Sequence, residues 1–528
     1  MNPVLSRRRL ARVLIPSSLC YLSLPYVIFL AGWLRWYLAL PCIGVLALSL
    51  RICVREIDRI AGTEQVSPDG SALKIHHFVV LLLVALLLLG ISGAGGYGHQ
   101  DTDWLKHNAV LQDLIDRPWP VVYRLEGQAV PLVYYIAFYL PAALVGKLGG
   151  WPLANHALFA WSLAGLILAM SWFLLLNRRA GFTTIWLFAA FSGLDVIGQL
   201  LITPAVARVR PELEILLNWD HIEQWGWVWQ YSSNVTLLFW VPNQALAGWI
   251  ATAVLTFAIL HPSHKTHSLF YCGLTPLWSP FVTAGLLPYM LTEFLLEGST
   301  LAKRLRRYVS LPNLCGLVLL AVVGLFYAAK LGPATPPSAV VIPHGFIWSF
   351  APDAQAKVVC LALIWAFFLL EFGLYAFFIY NAKPDWDRKA GLLFGTTLVC
   401  LSLIPIYRCG SANDFVMRVS IPALFVLAVF LGITLHSPSQ STVKRIILIA
   451  LVVLGSATGL VEVRRHLTGI HTTGTLLQIP GPGQVTGLSL WDRSTPKSEE
   501  ILLQYVGSSQ TPFFELMAQE DGRGGLSR

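Results

Sequence analysis

Long apolar stretches alternate with short polar ones along the chain. Runs at about 15–34, 36–52 and 76–92 approach the roughly 20 residues that a helix needs to cross a hydrocarbon layer. Arg7, Arg8, Arg9 and Arg12 precede the first run, Arg35 separates the first two, and Arg51, Arg55, Arg59 and Lys74 precede the third. Because cytoplasmic loops collect Lys and Arg, this order predicts a hairpin with Arg35 at its outer tip, a cytoplasmic return, and a third helix leading to the outer face. The basic start enters the first run without a small-residue cleavage site, so it reads as a retained helix.

The third helix delivers Gly95-Gly96-Tyr97-Gly98-His99-Gln100-Asp101-Thr102-Asp103-Trp104-Leu105-Lys106-His107, an island of acids and bases at a bilayer exit. From Asp103 the pattern turns amphipathic. Trp104, Leu111, Leu114 and Ile115 oppose Lys106, Asp113 and Asp116, which predicts a helix lying in the interface and ending before Pro118-Trp119-Pro120. Runs follow at about 128–148, 152–176 and 182–202. Arg178 and Arg179 belong in the cytoplasm, yet a full crossing by every run places them outside. One run, 128–148 or 152–176, is therefore expected to fall short.

Residues 203–242 read as an outer loop with Trp219-Asp220-His221-Ile222-Glu223-Gln224-Trp225, closing on Trp240-Val241-Pro242-Asn243-Gln244. A helix at about 245–260 returns to His264-Lys265. Pro280 splits 268–297 into a hairpin of two short helices, with Lys303-Arg304 and Arg306-Arg307 beyond it. A helix at about 309–330 leads to an outer loop, 331–357, with His344 and Asp353. The helix at 358–380 returns to Lys383, Arg388 and Lys389, and that at 390–406 leads out to the segment from Tyr407 to Arg418. One more goes in to Lys444-Arg445, and a last, 446–462, goes out to a polar tail. The expectation is an all-α polytopic membrane protein of about 11–14 transmembrane helices, divided at 1–75, 76–300, 301–462 and an outer tail, 463–528. No internal repeat is visible.

Composition agrees. The 528 residues are 55% hydrophobic and 12% charged, against about 25% charged in soluble domains. The 19 Trp and 17 Tyr suit bilayer interfaces. The net charge of +9 reports cytoplasmic basic loops, not nucleic-acid binding. The eight cysteines are scattered with no CxxC and no zinc spacing, so neither a disulfide framework nor a structural metal is expected.

The predicted topology gathers the island, the Trp219–Gln244 loop, the His344 loop and the Arg408–Arg418 segment on one face. Asp101 and Asp103 are the candidate catalytic residues, as a general base for an acceptor hydroxyl or as metal-binding carboxylates. The plainer alternative is an N-cap for the amphipathic helix. His99 and His107 as metal ligands stand against satisfied interfacial histidines. Asp220, His221 and Glu223 form a second acid/base cluster or a solvated turn. Asn243 and Gln244 bind sugar hydroxyls or cap a helix. Lys106, Arg408 and Arg418 are candidate phosphate grips, Arg offering a bidentate fork. Asp414 lies at helical spacing from Arg418 and predicts an ion pair.

This layout resembles the GT-C superfamily of membrane glycosyltransferases. The similarity rests on Asp101-Thr102-Asp103 after a membrane helix, the amphipathic stretch to Ile115, and Pro131-Leu132-Val133-Tyr134-Tyr135 opening the next run. It covers residues 76–300 as architecture. It departs from the family plan in that the acidic loop follows the third helix and the acids stand as Asp-x-Asp. The resemblance implies a GT-C-like catalytic bundle that moves a sugar from a polyprenyl-phosphate carrier to a cell-envelope glycan, lipid or protein, with inversion. Asp103 or Asp101 is then the base, and Arg408 and Arg418 hold the lipid phosphate. Lys106, His107, Asp220, Glu223, Asn243, Gln244, His344 and Asp414 complete the substrate site. A divalent cation, Mg or Mn, on Asp101 and Asp103 is the one cofactor it allows. The implied partners are the lipid-linked donor, membrane lipids and the envelope acceptor. The implied location is the bacterial inner membrane, with the site on the periplasmic face. Competing expectations are a transporter or flippase, an envelope polysaccharide polymerase or ligase, and a silent scaffold.

Overall fold

A computed structural model of the chain describes residues 4–5, 7–63, 73–125, 127–177, 181–209, 218–261, 266–296, 300–331, 343–382, 386–410, 412–438, 440–481, 484–491 and 496–519. The elements follow from where apolar runs meet Pro, Gly and capping residues. The first run winds into α1 (Arg7–Trp33), broken at Leu34 and Arg35 before α2 (Trp36–Thr63). β1 (Val4–Leu5) pairs antiparallel with β2 (Leu73–Lys74), which leads into α3 (Ile75–Gly90). A glycine-rich turn then gives way to the amphipathic α4 (Thr102–Asp116). β3 (Val122–Leu125) and β4 (Gln128–Pro131) form a hairpin with Tyr123 opposite Val130.

The helix α5 (Leu140–Leu176) resolves the count around Arg178. Gly150, at φ 77°, kinks it. Before the kink it lies along α4, with Lys147 Nζ donating to the carbonyls of Ile115 (3.1 Å) and Arg117 (2.7 Å). Only the stretch beyond Gly150 traverses the bundle, reaching the start of α1, where Arg7 donates to the Leu175 carbonyl at 2.8 Å. The run at 128–148 is thus the one that does not cross. It consists of β4, a buried non-helical segment at 132–139, and the first part of α5. Arg178, Arg179, His264, Lys265 and Lys383 lie outside the described residues.

The next run is broken. α6 (Phe182–Ala190) is followed by an extended stretch, then α7 (Asp195–Ile197), a π turn (Gly198–Ile202) and α8 (Thr203–Val209). The described part of the expected outer loop is largely interior. Trp225 and Trp229 are fully buried and Glu223 is 1% exposed. Two of its aromatic residues bury their rings and spend their polar tips on carbonyls: Trp229 donates to Pro405 at 2.8 Å and Tyr231 to Leu401 at 2.6 Å. Then come α9 (Asn234–Trp240) and α10 (Pro242–Leu260), the latter opening on Pro, whose missing N–H is no loss there.

The hairpin split at Pro280 is present as α11 (Ser268–Gly273) and α12 (Pro280–Leu296). α13 (Leu301–Tyr308) carries the basic cluster before α14 (Leu311–Ala328). β5 (His344–Phe346) precedes α15 (Ala354–Phe368), a π turn (Leu369–Gly373) and α16 (Leu374–Ala382). α17 (Arg388–Leu403) leads to β6 (Tyr407–Cys409), which pairs with β5. α18 (Asp414–Val419), α19 (Ile421–Leu435) and α20 (Thr442–Thr473) follow. Asp353, Asp387 and Ser441 cap α15, α17 and α20 through their side chains.

Among the described residues nine helices are long and apolar enough to cross a membrane, and α3, α12 and α19 are shorter apolar helices. The chain is an all-α protein with the make-up of a multi-pass membrane protein. One end of the bundle is basic. There His267 meets Glu56 (2.6 Å), Thr183 meets His436 (2.8 Å) and Lys444 meets Asn381 (3.3 Å). Asp101 sits at the other end. α20 runs past the expected boundary at 462, so Arg464, Arg465 and His466 are helical. The tail is not a separate body. It lies across the Asp101 end as a strap, bridging Leu477 to Tyr97, Val506 to Leu132 and Ala518 to Leu34, and its helix α21 (Pro496–Leu503) belongs to that strap.

Candidate functional site

The turn between α3 and α4 fixes where the acids point. Gly95 has φ 61°, and a Cβ there meets the Asn155 carbonyl oxygen at 2.2 Å. Gly98 has φ 88°, and its Cβ meets the Ile91 carbonyl carbon at 2.3 Å. Only glycine fits this path. Asp101 then occupies the N-cap position of α4, but its side chain makes no capping bond. The carboxylate turns instead to α20, pairing with Arg465 and lying 3.0 Å from His466 Nε2. Burial pushes the Asp101 carboxyl up, but His466 and Arg465 outweigh this and hold it below its usual range.

Asp103 turns away from that cluster. It pairs with Lys106 at 2.5 Å, each side chain about a quarter exposed. One turn on, His107 is buried. Its Nε2 lies 3.2 Å from the Trp240 carbonyl, so that nitrogen donates and Nδ1 accepts from the Tyr139 hydroxyl. Burial depresses the His107 pKa to about 4, which makes the ring neutral at pH 7. Trp104 anchors the same helix through the Phe239 carbonyl at 3.1 Å.

The groups facing Asp103 come from distant parts of the chain. Its charge acts on Tyr135, Tyr139, Tyr505 and Arg418. Arg418 pairs with Asp414 at 3.0 Å and donates to the Tyr135 hydroxyl at 2.9 Å. Gln244 joins them. With its amide nitrogen donating to Ser279 Oγ at 2.7 Å, its oxygen accepts from Arg418 Nε at 3.2 Å and Nη1 at 3.3 Å. Neighbouring Asn243 is fully buried, and neither atom of its amide has a partner among the described residues. Tyr134 packs between Tyr135 and Tyr505 of the strap, its ring tilted 33° to each. A carboxylate with its ammonium partner and a guanidinium held by a tyrosine and an amide thus gather at one end of an apolar bundle, with the unpartnered Asn243 amide one residue along α10. Such a set can take a proton and grip an anion.

The remaining candidates lie elsewhere. Asp220 is on the surface, paired with Arg464 at 2.6 Å, both more than half exposed. Glu223 is interior and accepts from Ser233 N, Thr236 and Gln230, at 2.6–2.8 Å. Burial pushes it up to about 7. His221 joins it to α20 through Glu462 at 2.7 Å, and Glu462 also accepts from Trp240 at 3.1 Å. His344 is exposed on β5, opposite Cys409. Arg408 sits on β6 with its guanidinium 4.9 Å from the Phe350 ring.

Residues the sequence reasoning passed over are Tyr135, Tyr139, Ser279, Glu462, Arg465 and His466. Arg464-Arg465-His466 carried a signal, since three bases at an expected outer helix end run against the charge rule. Tyr135 entered only as part of the Pro131–Tyr135 opening of an apolar run, with no role of its own, and Tyr139 carried no signal beyond lying in that run. The chain matches no family model, no curated protein and no solved structure.

Proposed function

We propose that this protein is a membrane glycosyltransferase that moves a sugar from a polyprenyl-phosphate carrier to a cell-envelope acceptor. The single observation carrying this reading is that Asp103, paired with Lys106 and one turn before buried His107, faces Arg418 with its Tyr135 and Gln244 partners at one end of an apolar bundle. In the proposed reaction an acceptor hydroxyl attacks the anomeric carbon as its proton passes to the Asp103 carboxylate. The bond from that carbon to the phosphate oxygen breaks, with inversion, and Arg418 and Lys106 receive the lipid phosphate. Tyr135 and Gln244 hold the guanidinium in place, and Asn243 offers its amide to a sugar hydroxyl. Asp101 is a positioning residue that ties the start of α4 to α20. The basic end then faces the cytoplasm and the Asp101 end the periplasm, as in a GT-C enzyme of the bacterial inner membrane.

A divalent cation does not fit Asp101 and Asp103 as they stand. The first is already neutralised by Arg465 and the second by Lys106, and no group of three His, Cys, Asp or Glu side chains suited to a metal occurs among the described residues. No step is routed through a metal.

The test is transfer by membranes containing the full chain, using a panel of labelled polyprenyl-phosphate sugars. Wild type transfers label, and Asp103→Asn loses about 10²–10⁴-fold at equal protein level, the span typical of a general base. Absence of transfer from every donor by folded wild-type protein overturns the reading. A proton-coupled transporter or flippase is the second reading, favoured by the buried acids Asp195 and Glu371 in the middle of the bundle.

A further inference from the structure

Asp195 and Glu371 lie near the middles of two apolar spans, Phe182–Val209 and Ala354–Ala382. Their exposures are 0% and 1%. Each sits beside a π turn, Gly198–Ile202 after Asp195 and Leu369–Gly373 around Glu371, a distortion that recurs at functional sites. Both carboxyl groups accept from a single proton donor. Trp225 Nε1 lies 3.1 Å from Asp195 Oδ1 and 2.9 Å from Glu371 Oε1. Asp195 Oδ2 also accepts from Thr458 at 2.7 Å and Ser192 at 3.1 Å. Glu371 Oε2 has no hydrogen-bond donor among the described residues. It fills the space over Gly193, where a Cβ would stand 1.9 Å from it.

No Lys, Arg or His hydrogen-bonds or ion-pairs with either group among the described residues. The titratable groups facing them are Glu223 from the buried loop, Tyr231, and Tyr375 on α16. His221 and Glu462 follow beyond Glu223, bonded to each other at 2.7 Å. Two bare carboxylates sharing one indole donor, with no countercharge and one oxygen wholly unsatisfied, are not a stable arrangement in an apolar interior. A proton placed between them supplies the missing donor and removes one of the two charges.

We propose that Asp195 and Glu371 form a proton-binding site in the middle of the bundle, holding one proton between two carboxyl groups. The site is separate from the Asp103 cluster and does not depend on the glycosyl-transfer reading. It is the element a proton-coupled activity would use. Near the ends of the spans two such acids would have water to solvate them. In mid-bundle they have only each other, Trp225 and two hydroxyls.

Infrared spectroscopy of the full chain in lipid nanodiscs tests this. The expected result is a carbonyl stretching band of a protonated, buried carboxylic acid in wild type at pH 7. That band shifts in D2O and loses the component due to Asp195 and Glu371 in the isosteric double variant Asp195→Asn/Glu371→Gln, while a component from buried Glu223, whose carboxyl is pushed up to about 7, remains and is removed separately by Glu223→Gln. Should the double variant fail to fold, Glu371→Gln alone, expected to shift or remove the component due to Asp195 and Glu371, takes its place. Wild-type protein without a protonated-carboxyl band at pH 7 overturns the proposal, as does a band that the folded variants leave unchanged.

Discussion

Asp101 and Asp103 stand two residues apart, yet their surroundings predict opposite consequences for the same chemical change. Asp101→Asn removes a carboxylate whose side chain is 10% exposed and paired with Arg465, itself 21% exposed. Losing one partner of a fully buried pair costs about 3–5 kcal/mol. Arg465 keeps some water and its stacking over Trp240, 4.5 Å away, so we expect a loss of about 2 kcal/mol, in line with hydrogen bonds to charged groups. Asp103→Asn breaks a one-turn pair whose two sides are 23% and 25% exposed, worth about 0.3–0.5 kcal/mol. The assay is equilibrium unfolding of purified protein in mixed detergent at pH 7. Because the folded state holds the Asp101 carboxyl below its usual range, its contribution is complete above the unfolded pKa of about 4 and is lost as pH falls through the lower folded value. The gap between wild type and Asp101→Asn therefore closes in acid. Equal stability of Asp101→Asn and wild type at pH 7, or a larger loss from Asp103→Asn, refutes the assignment of structural and chemical roles.

Other consequences follow from the same geometry. Tyr135→Phe leaves Arg418 with Asp414 but removes an acceptor, costing about 1 kcal/mol of stability, and is expected to raise KM for a lipid-phosphate donor more than it lowers kcat. Gly98→Ala, at φ 88° against the Ile91 carbonyl, is expected to cost about 2 kcal/mol or more, read as lost folded yield and a lower unfolding midpoint. Glu223 has a folded pKa of about 7, raised from 4.5, so the folded state holds an extra proton between those values and stability falls as pH rises through that window. Glu223→Gln is expected to flatten this slope, measured as unfolding midpoints across pH 4–8 beside wild type.

Most spans were legible because an uncharged run of about 20 residues has few other ways to satisfy its backbone in lipid. The Pro280 hairpin and the Asp414–Arg418 pair were legible for equally local reasons. The failures arose where tertiary contacts set the outcome. The polar composition of 218–231 read as solvent-facing, but its Trp229 and Tyr231 tips found carbonyls and its Glu223 found three donors, so the loop could be buried. The 128–148 run is apolar enough to cross. Only the Gly150 kink and the bond from Lys147 to the end of α4 show that it lies against that helix. Asp101 stands where an N-cap belongs, and nothing local reveals that its partner lies 364 residues away. Arg418 and Asp103 were both candidates, but that they face one another across Tyr135 was not legible, because the Pro131–Tyr135 stretch marked the start of a run and not a partner for Arg418. Asp195 and Glu371 were lone acids in apolar runs, a signal that separate runs did not combine into a pair.

The central claim is that the Asp103–Arg418 cluster receives a polyprenyl-phosphate donor. Photo-crosslinking full-length protein with a polyprenyl-phosphate probe carrying its reactive group near the phosphate, followed by peptide mapping, tests it most directly. The account predicts labelling of peptides containing Tyr135, Ser279 or Arg418, with loss of label in Arg418→Ala. Labelling confined to the basic end of the bundle, or unchanged in Arg418→Ala, contradicts it.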